Sequence, residues 1–132
     1  SLYMLLTMKS TVHSILIALI ILFFTSCNTN NNVACTTVYV SVVVTVHGGV
    51  LDKYFTIQNS TGDTIRYKTT SGKSDSLYGV LSDDYIHKFK HEVETFTFKG
   101  FVQDSLVINE QYLIKADQCH IYYLSGKTDI KL

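Results

Sequence analysis

The residues of this chain best suited to chemistry are histidines beside carboxylates and cysteines. His87 and His91 are four residues apart, with Glu92 and Glu94 next to them. On a helix that spacing would put both imidazoles on one face, as a metal site needs. A small envelope hydrolase or metal-dependent enzyme could use His87, His91 and a carboxylate. The rest of a zinc signature is missing, so the simpler reading is two surface histidines and no metal ligand. His120 follows Cys119, which suggests a thiol–imidazole pair, but neighbours in a strand point to opposite faces. Asp83-Asp84 is an acidic pair that turn-forming aspartates explain. No Gly-rich phosphate loop, no Gly-x-Ser-x-Gly and no triad spacing is visible. The expectation is a non-enzymatic protein with no catalytic residue, metal or cofactor.

Those residues must be positioned by a chain that changes character near Cys27. Met8-Lys9 is a natural start, with one positive charge before an almost unbroken apolar run from Ile15 to Phe24. That is the plan of a secretory signal. The run is about half the roughly 20 residues that a bilayer span requires. Residues 1–26 therefore read as a signal peptide and 27–34 as a tether, polar and uncharged through Asn28-Thr29-Asn30-Asn31-Asn32. Residues 35–132 read as one domain. Cleavage before Cys27 leaves about 106 residues, enough for one core and too few for two. The product carries 10 Lys+Arg against 11 Asp+Glu. With no basic patch, nucleic acid is not an expected partner.

Phe24-Thr25-Ser26-Cys27 resembles the lipobox of bacterial lipoproteins, with Phe24 in place of the usual Leu. The resemblance implies a diacylglyceryl thioether on Cys27, cleavage before it, and acylation (palmitate, for example) of the new amino group. Two or more acyl chains anchor a protein stably where one does not. Asn28 is not the Asp that favours inner-membrane retention in enterobacterial lipoproteins, which implies the outer membrane, periplasmic or surface-exposed side left open. With Cys27 lipidated, Cys35 and Cys119 are an even pair in an oxidising compartment. A disulfide between them is the expectation.

The domain reads as short strands. Thr36 to Val46 alternates, with Val38, Val40, Val42, Val44 and Val46 on one face and Thr37, Tyr39, Ser41 and Thr45 on the other. His47-Gly48-Gly49 then turns the chain. Leu51 to Gln58 resumes the alternation with Leu51, Phe55 and Ile57 on one side. Thr64 to Thr69 comes next, with Ile65 and Tyr67 in phase, then a polar loop from Thr70 to Ser76. Leu77 to Leu81 predicts a strand, and Tyr85 to Glu92 either one helical turn or an irregular crossover. Glu94 to Phe101 carries Phe96 and Phe98 on one face; Ser105 to Lys115, Gln118 to Leu124 and Thr128 to Leu132 complete the set. Abundant Val, Thr, Tyr and Phe suit strands. Seven or eight strands at this spacing predict a single antiparallel β-sandwich, all-β in class.

Ala34-Cys35-Thr36-Thr37, Leu51-Asp52-Lys53-Tyr54-Phe55, Ala116-Asp117-Gln118-Cys119-His120-Ile121 and Ser125-Gly126-Lys127 together resemble small lipoproteins of Bacteroidota. That resemblance implies an immunoglobulin-like or transthyretin-like sandwich in the outer membrane and no catalytic residues. Asp63-Thr64-Ile65, Asp75-Ser76-Leu77 and Asp104-Ser105-Leu106 resemble the O-glycosylation acceptor of that phylum, making Thr64, Ser76 and Ser105 candidate sites, Ser76 foremost in its polar loop. The leading function is a membrane-tethered accessory that binds a protein or glycan through loops or an outer sheet face. Tyr39, Tyr54, Tyr67, Tyr122 and Tyr123 supply aromatic groups, some of them outward-facing. A structural subunit that adds a strand to a partner is the further alternative.

Overall fold

The structure, a computed structural model, describes residue 4, residues 32–67 and residues 76–132. Apart from residue 4, the expected signal peptide, the expected lipidation site Cys27 and most of the expected tether lie outside the described residues, as does the polar loop up to Asp75. Among the described residues no helix is long and apolar enough to cross a membrane. The chain divides into residues 1–33 and Ala34–Leu132, and the second unit carries the strands.

Eight strands form it: β1 (Ser41–His47), β2 (Lys53–Gln58), β3 (Thr64–Ile65), β4 (Ser76–Ser82), β5 (Val93–Val102), β6 (Ser105–Ala116), β7 (Ile121–Ser125) and β8 (Asp129–Lys131). A 3-10 helix, Asp83–Lys88, joins β4 to β5. Two sheets result, one ordered β4-β1-β8 and the other β3-β2-β5-β6-β7. The expected all-β sandwich is the fold. Its pairing is antiparallel except that β8 lies parallel to β1, with Val46 opposite Ile130.

One core fills the space between the sheets. Val42, Val44 and Val46 point inward from β1, and Tyr78, Val80 and Leu81 from β4. Phe96 and Phe98 of β5 and Tyr112 and Ile114 of β6 meet them from the other sheet, all four fully buried. Burying each such side chain stabilises by about 1.5–3 kcal/mol. Edge-on ring contacts join Tyr54 to Tyr78 and Phe89 to Phe96, a geometry that the ring quadrupole favours.

Several expectations need correction. The first strand starts at Ser41, not Thr36, and Val38 is 64% exposed. Residues 36–40 are held by side-chain contacts and a disulfide instead of a ladder. On β2 the inward face is Tyr54, Thr56 and Gln58, while Phe55 and Ile57 turn outward. Tyr54 packs against both Tyr78 and Phe98, and a register placing Phe55 inside would expel it. This register leaves Thr56 Oγ1 and Gln58 Oε1 buried with no hydrogen-bond partner among the described residues. β3 ends at Ile65, and the last two strands start at Ile121 and Asp129. The Tyr85 to Glu92 stretch, by contrast, follows the helical one of its two expected readings: it holds the end of the 3-10 helix Asp83–Lys88 and then a turn in which His91 has φ 66°.

Candidate functional site

Two constellations stand out, one at an end of the sandwich and one on its outer face. The first is built around Asp83, at the start of the 3-10 helix. Its Oδ1 accepts the Ile121 amide at 2.9 Å. Its Oδ2 accepts the Val40 amide at 2.9 Å and lies 2.8 Å from His120 Nδ1. The Asp83 amide donates in turn to the Val40 carbonyl. On the far side of the imidazole, His120 Nε2 is 2.8 Å from Thr36 Oγ1. One residue before each of these, a disulfide joins Cys35 to Cys119 with their Cα atoms 5.3 Å apart. The expected bridge is therefore in place.

Hydroxyl, imidazole and carboxylate stand in the order of a nucleophile–base–acid relay. Its bonds also join Thr36, the turn before β7 and the start of the helix, and two of the lone pairs on Asp83 are taken by backbone amides. Burial raises the Asp83 carboxyl pKa, but the His120 contact and the Val40 and Ile121 amides outweigh that and hold it below the usual range. Beside it, Asp117 accepts from the Tyr122 hydroxyl and the Cys119 and His120 amides, which hold its pKa at about 2. Cys119 and His120 thus lie in a turn rather than a strand. Nothing in the local sequence marks the first of the two adjacent aspartates as an acceptor hub.

The second constellation lies on the outward face of the five-stranded sheet. Phe55 of β2 and Phe101 of β5 stack with centroids 5.7 Å apart and 25° between their planes. Lys53 Nζ sits 5.3 Å from the Phe101 centroid and 5.9 Å from that of Phe55. Arg66 Cζ is 5.1 Å from Phe55. These are cation–π contacts. Across the ladder, Phe55 faces Lys99, and Lys99 faces Asn109; the next row is Ile57, Thr97 and Gln111. Lys53, Arg66 and Lys99 form no ion pair among the described residues. Sequence reasoning missed this patch because it put Phe55 on one side with Leu51, which is buried. Alternate-residue spacing of Lys53 and Phe55 was the available signal.

The remaining expected residues are dispersed. His87 lies in the 3-10 helix and His91 in the turn after it, so the helical i, i+4 geometry is absent. No group of three or more His, Cys, Asp or Glu side chains able to hold a metal is found among the described residues. Glu94 instead accepts from Ser60 and from Gln58. Tyr39, Tyr122 and Tyr123 are exposed, whereas Tyr54 is core and Tyr67 is half-buried. Burial raises the Tyr67 hydroxyl pKa to about 12, and its ring packs 3.2 Å from where a side chain on Gly79 would begin. A cleft of about 230 Å³ opens there, between Tyr39, Tyr67 and the outer side of β1 and β4. Thr64 and Ser105 are exposed. Ser76 opens β4, opposite Val46, and does not belong to the loop.

No protein-family model matches the chain, and comparison with curated proteins and with solved structures gives no match.

Proposed function

We propose that this chain is a membrane-anchored binding module of the bacterial cell envelope, held by lipid on Cys27 and acting without catalysis. It engages a protein or glycan partner through the outward face of the five-stranded sheet. The supporting observation is the Phe55–Phe101 stack with Lys53, Arg66 and Lys99 around it. Half-buried, outward-facing aromatic groups beside cations with no carboxylate partner among the described residues are suited to recognition. The Thr36–His120–Asp83 chain is read as a clasp, since it joins the same segments as the disulfide.

The anchor and the binding face are tested together. Intact mass of the chain expressed with its leader is expected to give a product starting at Cys27 plus acyl mass. A free Cys27 thiol would remove the anchor. Purified protein is expected to be retained by isolated envelopes, and a Lys53→Gln, Arg66→Gln double variant to be released. Equal retention of both proteins would remove the face. A second reading, addition of a strand to a partner assembly, is favoured by one observation. β7 is an edge strand of its sheet, and Tyr122, Tyr123 and Leu124 on it are exposed.

A further inference from the structure

The charge on the five-stranded sheet is segregated by face. Lys53 and Phe55 alternate with inward Tyr54 and Thr56, and Lys99 and Phe101 alternate with inward Phe98 and Gly100. The pairing Phe55↔Lys99↔Asn109 brings these positions into one outward row. Lys115, paired with Val93 and Tyr122, adds a fourth cation toward the other end. Among the described residues, no outward position of β2, β3, β5 or β6 carries a carboxylate. The acids of this sheet alternate inward, as Glu94 and Glu110 do, or occupy turns, as Asp63 and Asp104 do. At the rim, the Asp52 carboxylate accepts the Gln103 amide. The whole chain has equal numbers of acids and bases, so the cationic excess on this face is balanced by acids elsewhere in the chain.

The chemistry of the face is specific. Lys53 and Arg66 lie over a pair of stacked rings, Lys99 and the Asn109 carboxamide share the row of Phe55, and the next row carries the Thr97 hydroxyl and the Gln111 carboxamide. Lysine ammonium and arginine guanidinium groups bind carboxylate or sulfate oxygens. Carboxamides suit hydroxyl groups, which both donate and accept. The half-buried rings leave some apolar surface for the C–H groups of a sugar. Strands lie about 4.8 Å apart, so a row across three of them spans about 10 Å, enough to run along more than one sugar unit. We infer that the ligand of this face is an acidic polysaccharide, one bearing carboxylates on its sugar rings. The inference rests on the binding-module reading above and names its ligand class. A nucleic-acid strand fits less well, because bases need open ring faces to stack on, and here Lys53 and Arg66 occupy the space over the rings.

The test is affinity electrophoresis of the full chain through gels containing polygalacturonate. Parallel gels hold neutral dextran, polyglutamate or single-stranded DNA, and co-sedimentation with anionic phospholipid vesicles runs alongside. Retardation by polygalacturonate is expected, weakening as salt is raised to about 0.5 M, where exposed charges are screened beyond roughly 4 Å. Lys53→Gln with Arg66→Gln is expected to weaken it about tenfold or more, the effect of losing two charge-assisted contacts. The same variant's unchanged melting temperature would show that its fold persists. Asn109→Ala with Gln111→Ala, which leaves every charge in place, is expected to weaken polygalacturonate binding as well. Equal retardation by polyglutamate, or tighter binding to DNA or vesicles, would overturn the inference, because charge without sugar would then suffice. Equal binding of dextran would overturn the acidic assignment. Envelope retention without polygalacturonate binding would overturn the ligand class and leave the module reading standing; loss of both would overturn both.

Discussion

Replacing Asp83 with Ala removes one carboxylate and strands three donors. The Val40 and Ile121 amides and the His120 Nδ1 group all converge on it at 2.8–2.9 Å. Hydrogen bonds to a charged group contribute about 1.5–3 kcal/mol each. The side chain is 12% exposed, so water can reach part of the vacated site and recover some of that loss. A destabilisation of about 3–5 kcal/mol is expected, within the range for breaking a buried polar network. In a domain of this size each kcal/mol moves the melting temperature by about 4–8 °C, so the shift should exceed about 12 °C. The effect has a pH signature. The folded-state pKa of Asp83 is depressed relative to the unfolded chain. Its contribution is therefore fully present above the unfolded value, about 3.9, and lost as pH falls through the lower folded value. Urea unfolding of the wild type and Asp83→Ala should show a large gap at pH 7 that narrows below about pH 4. Asp83→Asn, which keeps one acceptor and loses the charge, should fall between them. A gap that stays constant down to pH 3, or one under about 1 kcal/mol at pH 7, would refute the assignment of Asp83 as the hub.

Three further outcomes are expected from the geometry. Cys35→Ser with Cys119→Ser opens a loop of sequence separation 84, for which chain entropy gives at most about 4.5 kcal/mol; denaturant melts with and without reductant should converge on that double variant. Gly126→Ala drives a methyl into the buried Tyr112 ring at a residue with φ 134°, and positive-φ strain plus overpacking should cost about 3 kcal/mol or more, read by thermal unfolding. Tyr112→Phe removes the bond from its hydroxyl to the Lys127 carbonyl and should cost about 1 kcal/mol, with amide exchange at residues 125–128 rising ahead of the core.

The strand count and the buried valines of β1 were legible because a period of two is a strong, local signal. Phe96 and Phe98 were legible for the same reason. The face of β2 was not. Its outward positions include Phe55 and Ile57, more apolar than its inward Tyr54, Thr56 and Gln58, so hydropathy favours the wrong side and only packing against Tyr78 and Phe98 decides. Residues 36–40 alternate like a strand, yet the partners of this segment are Asp83, Asp84 and His120, each far away in sequence. The cysteine pairing could be reached by counting. Convergence of Thr36, His120 and Asp83 could not, because nothing in their spacing shows that a turn and a helix start will meet. The cationic row was hidden likewise, since Lys53, Arg66 and Lys99 become neighbours only once β2, β3 and β5 are in register.

The Cys35–Cys119 bridge also governs how the domain bears mechanical load. A pull between the N-terminal side of Cys35 and the strand β8 travels across the bridge and bypasses the chain from residue 36 to residue 118. Only residues 120–132 can then extend, about 45 Å of chain at roughly 3.4 Å per residue. With the bridge reduced, the same pull can draw out above about 300 Å. Oxidised, the domain is a short stiff link whose five-stranded face keeps most of its strands under tension; reduced, it becomes a long extensible one.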